Sequence, residues 1–183
     1  ILGPLARYLR EHVGAGVLRE AAAVAGLEPT DLDGCSLWIT IGQAEAVFAF
    51  ARAFFEDDDA FRAACAYKLA EGYGALRLVL WATSPQAVYL QAMRTMRLIC
   101  NYGSIEVVTS SRTMMHARYR ATASESRLLC LSRQAATVAL PTLFGLPPAY
   151  IREESCVSRG DPFCDYHLRW YDQKRWYPSV LGL

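Results

Sequence analysis

No stretch of the chain keeps about 18 apolar residues in a row, so no segment reads as a membrane-spanning helix. Neither sign of charge dominates. Lys plus Arg number 19 against 18 Asp plus Glu, which argues against a surface built for nucleic acid or anionic lipid. The glycine-rich phosphate and dinucleotide loops are missing, as are the G-x-S-x-G elbow and the H-E-x-x-H zinc motif. The three histidines, His12, His116 and His167, stand apart from one another in sequence. With no concentrated set of acid, base and nucleophile, the expectation is a protein that is not an enzyme. The opening Ile1-Leu2-Gly3-Pro4 has neither Met nor a basic leader, which suggests a piece excised from a longer cytoplasmic protein.

What is present is a chain able to fold. At 183 residues, 53% apolar and 20% charged, it is long enough for one domain with a single core and too apolar to be disordered. Six cysteines lie far apart, several inside apolar helical patterns such as Ala64-Cys65-Ala66 and Leu98-Ile99-Cys100. That usage fits reduced thiols better than a disulfide scaffold.

Periodicity gives an order of elements. Residues 4–13 and 17–25 read as short helices, and 36–41 as a strand from the alternation Leu37, Ile39, Ile41. Residues 43–55 and 60–71 read as helices around the acidic run Glu56–Asp59, and 73–81 as a buried strand. Ser84-Pro85 starts a helix that runs to about Cys100. Residues 105–110 and 113–122 form antiparallel strands, 124–144 a long helix interrupted by Pro141, and 149–156 with 163–171 a hairpin. Helices that precede and interrupt a mostly antiparallel sheet make an α+β fold.

The hairpin carries the densest chemistry. Arg159-Gly160-Asp161-Pro162 is turn sequence, and Cys156 and Cys164 flank it. Cys164, Tyr166, Leu168 and Trp170 share one face of the second strand, while Asp165, His167 and Arg169 share the other. Two thiols facing each other across a hairpin can be a disulfide, a pair of inert small hydrophobes, or half of a metal site. Glu153 on the incoming strand favours the metal, with Glu154 the competing oxygen donor, and Cys130 on the preceding helix supplies the natural fourth ligand.

The pattern Cys130, then Glu153-x-x-Cys156, then seven residues to Cys164, resembles the zinc-binding set of the 4-vinyl-reductase-type sensory domain of phenol-responsive XylR/DmpR-type activators. The likeness covers about the last third of the chain. It implies the fold of the 4-vinyl-reductase and NO-signalling and Golgi-transport ligand-binding superfamily. It also implies structural Zn²⁺ on Cys130, Glu153, Cys156 and Cys164, and a sensory domain of a bacterial signalling or transcription-regulating protein. Trp81, Met93, Tyr102, Met114, Tyr119 and Phe144 are the expected pocket wall, since large side chains near strand and helix ends suit a small apolar or aromatic effector.

The organisation expected is an N-terminal helical segment, 1–25, with a dimer contact; a sensory domain, 26–171, with a metal-clamped hairpin region, 130–170; and a linker, 172–183, to a missing output domain. The expected state is a homodimer with no direct nucleic-acid contact. The alternative is a dimerisation or scaffold module of the same fold without a ligand.

Overall fold

The computed structural model describes residues 2–33, 38–74, 80 and 82–172. Helix α1 (Gly3–Tyr8) continues into a wider turn at Leu9–Val13 and stops at Gly14, whose φ of 133° suits only glycine. Helices α2 (Ala15–Ala23), α3 (Pro29–Asp33), α4 (Ile41–Arg52) and α5 (Asp58–Cys65) follow. Local side chains set where two of them begin. Thr40 and Gln43 form a reciprocal capping box at α4, and Asp57 accepts from the Ala60 N–H at α5, at 2.8 Å.

Helix α6 (Pro85–Ile99) is capped by Ser84, with proline in its first turn. Strands β1 (Gly103–Ser110) and β2 (Met114–Ala121) pair as a hairpin. Helix α7 (Arg127–Val138) begins at the Ser126 cap and ends before a tight turn at Leu140–Phe144. Strand β3 (Tyr150–Ser155), a short turn at Val157–Arg159 and strand β4 (Cys164–Arg169) complete the described chain. The sheet order is β1-β2-β4-β3, antiparallel throughout.

Three expectations need correction or bounding. Residues 38–40 form no strand and Ile41 opens a helix, because the Thr40–Gln43 capping box outweighs a three-residue alternation; residues 34–37 lie outside the described set. Tyr73 ends a tight helical turn, Leu69–Tyr73, while residues 75–79 and Trp81 are also outside. The long helix stops at Val138, three residues before Pro141, which cannot donate to the ladder.

Two cores share α7. On one side Leu129, Leu131 and Ala135 pack with Leu5, Leu9, Leu18, Phe48 and Phe61 of the helical half. The Phe48 and Phe61 rings meet edge to face at 5.8 Å. On the other side Cys130 joins Tyr119 and Tyr166 of the sheet. Farther along the same sheet face, Tyr89 and Met93 of α6 pack on Met115, Leu168 and Trp170. Each fully buried leucine or phenylalanine contributes about 1.5–3 kcal/mol relative to exposure, so α7, apolar on two faces, ties the halves together.

Candidate functional site

Strand alternation aims Tyr119 of β2 and Cys164 and Tyr166 of β4 at α7, and the register sets Tyr119 directly beside Cys164. From α7, Cys130 and Arg133 lie three apart and face the same way. Glu125, just before the helix, completes a polar knot inside an apolar interior.

The knot is well satisfied. The Tyr119 hydroxyl donates to the Glu125 carboxylate, and Arg133 pairs with its other oxygen. The Arg133 guanidinium lies 3.3 Å above the Tyr119 ring and reaches the Tyr166 hydroxyl at 3.4 Å. Burial pushes the Tyr119 and Tyr166 hydroxyls well above the ordinary phenol range, so both stay protonated. For Arg133, burial works against the charge, but the Glu125 carboxylate beside it outweighs that penalty and holds the guanidinium charged. Gly103 lies where any Cβ would overlap the Tyr119 ring and hydroxyl, so the close approach of β1 requires glycine there.

Next to the knot are the three thiols that the sequence singled out. Cys130 and Cys156 Sγ are 3.5 Å apart, and Cys156 and Cys164 Sγ 3.9 Å. All three are fully buried. Contacts with Cys130, Cys164 and Ser158 pull Cys156 below the ordinary thiol value, and the contact with Cys156 pushes Cys130 above it. The Arg127 guanidinium faces Cys156 at 3.6 Å.

Glu153 stands beside Cys156, and burial, with that thiol next to it, raises its carboxyl above the ordinary range. Its carboxylate accepts from Arg127 at 2.6 Å and from Gln134 at 2.8 Å, with Arg159 at 3.5 Å. Glu154 turns to the far side of the sheet, to Arg152 at 3.0 Å and His167 at 3.6 Å. The two neighbours diverge because successive strand residues point to opposite faces of the sheet.

Of the expected pocket residues, the five that are described do not line one space. Met93 and Tyr119 are buried on the helix-facing side of the sheet, with Tyr102 and Phe144 partly buried near them. Met114 lies on the outer face, 44% exposed, and Trp81 falls outside the described residues. Glu125 was missed because nothing in Ser124-Glu125-Ser126 distinguishes it from a solvated helix start.

The outer face also carries a concave site. A half-open cleft of about 490 Å³ is lined by Met114, Met115, Tyr150, Leu168 and Thr109, with Arg152, Glu154, Arg169, His116 and His167 as its polar groups.

No protein-family model and no curated protein matches this sequence. Solved structures do match, over nearly the whole chain. The Fe(II) unliganded H-NOX protein from K. algicida gives a TM-score of 0.67 at 11% identity, covering 95% of this chain and 96% of that one. An oxygen-binding H-NOX domain related to soluble guanylate cyclases, solved as its oxygen complex, gives 0.65 at 11% identity, covering 97% and 98%. The S. oneidensis H-NOX protein in its Fe(II)NO state gives 0.64 at 13% identity, covering 94% and 100%.

At such identities the likeness is one of fold. It bears out the α+β layout with a mostly antiparallel sheet, and it corrects two expectations. The fold is that of H-NOX proteins and not of the 4-vinyl-reductase-type domain, whose likeness rested on four residues of the last third. Zinc as the cofactor falls with it, since the structures sharing the fold are named for Fe(II).

Proposed function

We propose that the chain is a non-enzymatic sensory domain of H-NOX fold that binds a small molecule and passes its occupied state to an output partner. The observation that carries this reading is the match in fold over at least 94% of this chain to proteins named for bound oxygen or NO.

Haem is the group that fold implies, and the residues present do not fit a histidine-ligated one. Haem iron takes an axial His, Cys, Met or Tyr. Helix α6, the element packed on β1, contains no histidine. His12 packs tilted against Tyr8 and edge-on to Tyr67 in the helical half, while His116 and His167 belong to the outer face of the sheet. The interior phenols are committed: Tyr89 donates to the Thr137 carbonyl at 2.9 Å, Tyr119 to Glu125, and Tyr166 accepts from Arg133. Arg133, a buried cation suited to a propionate, is neutralised by Glu125.

The ligand site is instead the outer cleft, whose volume suits a small organic molecule. The exposed side chains of Met114 and Tyr150 supply its apolar walls, and Arg152 and Arg169 its hydrogen-bond donors. Occupancy would brace β2 against β4 and so favour one packing of the sheet on α7, the element shared by both cores.

Expression with excess haem, followed by absorption spectroscopy and amide NMR against a panel of small aromatic alcohols and carboxylates, tests the reading. The expected result is no stoichiometric haem band and shifts confined to β2, β3 and β4. A stoichiometric haem spectrum, or shifts confined to α6 and α7, overturns it.

A further inference from the structure

Outside the buried knot, the described residues hold one more convergence of ligand chemistry, and only strand pairing creates it. His116 of β2 lies directly opposite His167 of β4, and Asp165 precedes His167 by two, so all three project from the outer face. Their donor atoms lie within 4.8 Å of one another. His116 Nε2 contacts the Asp165 carboxylate, and the two imidazoles stack at 4.2 Å between centroids, 14° from parallel. Glu154 Oε2, on the outer face two residues after Arg152, stands 3.6 Å from His167 Nε2.

We infer that His116, Asp165 and His167, with Glu154 beside them, form a binding site for a divalent first-row transition-metal ion at the wall of the outer cleft. Two imidazoles and a carboxylate suit such ions and leave positions open to the cleft. Binding requires the donors to close to roughly 3 Å of one another, about the edge of a coordination tetrahedron with metal–nitrogen bonds near 2 Å. Side-chain rotation supplies this, because the histidines and Asp165 stand on two paired strands whose backbone need not move.

The surrounding charge tempers the affinity. Arg118 Nε faces Asp165 at 3.6 Å and Arg152 faces Glu154 at 3.0 Å. Two guanidiniums thus offset two carboxylates, and an arriving dication must displace at least Arg118. A stacked imidazole pair held by Asp165 alone is the competing account of the same geometry, and it binds no ion.

The site stands independently of the sensory reading. Titration of the full chain with Ni²⁺ by calorimetry, and with Cu²⁺ and Co²⁺ by spectroscopy, separates the accounts. The expected result is one equivalent of Ni²⁺, weakened at least about tenfold by His116→Ala and by His167→Ala. The Cu²⁺ resonance should show two nitrogen couplings, and the Co²⁺ spectrum should lack the intense near-ultraviolet band of thiolate ligation. Both variants alter the outer face only, so unchanged circular dichroism is required of them. Absence of binding, binding indifferent to both substitutions, or a thiolate band that reports ions on the buried cysteines overturns the inference.

Discussion

A single buried guanidinium decides much about the interior. Arg133 meets Glu125, Tyr119 and Tyr166 at once, and removing it leaves the Glu125 carboxylate without its cation. Arg133→Met is therefore expected to destabilise the protein by about 3–5 kcal/mol in urea unfolding, far more than an exposed ion pair would. A loss under about 1 kcal/mol would show that the knot contributes little. Gly103→Ala attacks the same knot from β1 by driving the Tyr119 ring away from Glu125, at a cost of about 1–3 kcal/mol. At Cys65, burial raises the thiol from 9.0 to about 12. The folded state then holds its proton more tightly than the unfolded one. Stability from this group is complete below pH 9 and declines between pH 9 and 12, by about 1.4 kcal/mol per pH unit. The stability difference between the protein and Cys65→Ala should narrow by that amount over the same range.

Among the elements, those with a written start signal form where the chain announces them. Ser84-Pro85 opens α6 as its sequence says. Thr40-x-x-Gln43 is an equally clear signal, yet the alternation Leu37, Ile39, Ile41 reads as a strand, because both patterns occupy the same residues and only packing chooses. Thr40→Ala removes the cap and should cost about 1 kcal/mol, measured by thermal unfolding. An unchanged melting temperature would mean that tertiary contacts alone hold the start of α4. The face assignment in β4 follows from alternation and holds in the structure: Cys164, Tyr166 and Leu168 are buried toward α7 and α6, and His167 and Arg169 are not. Glu153 and Glu154 take opposite faces by the same alternation, but the register shift between Glu153 and Ser155 has no comparable signal in the sequence.

For the whole molecule, α7 is the critical member because both halves bury side chains against it. Leu131→Ala should cost about 2–5 kcal/mol and lower the stability of helices and sheet together, so that far- and near-ultraviolet signals still fall in one transition. Two separated transitions would show that the halves fold independently. The sequence by itself determined the α+β class, the two β-hairpins and the face each residue of β4 presents, since these follow from local periodicity and turn chemistry, while two further strands read at 36–41 and 73–81 did not appear among the described residues. It also named three of the cysteines that meet, through spacing that a hairpin and a helix convert into proximity. Only the tertiary structure decided that Glu153 serves arginines and a glutamine, that Glu125 is buried, and that His116 meets Asp165 and His167. Each of those depends on strand register and on which helix covers which face, and such contacts span tens of residues that no local pattern encodes.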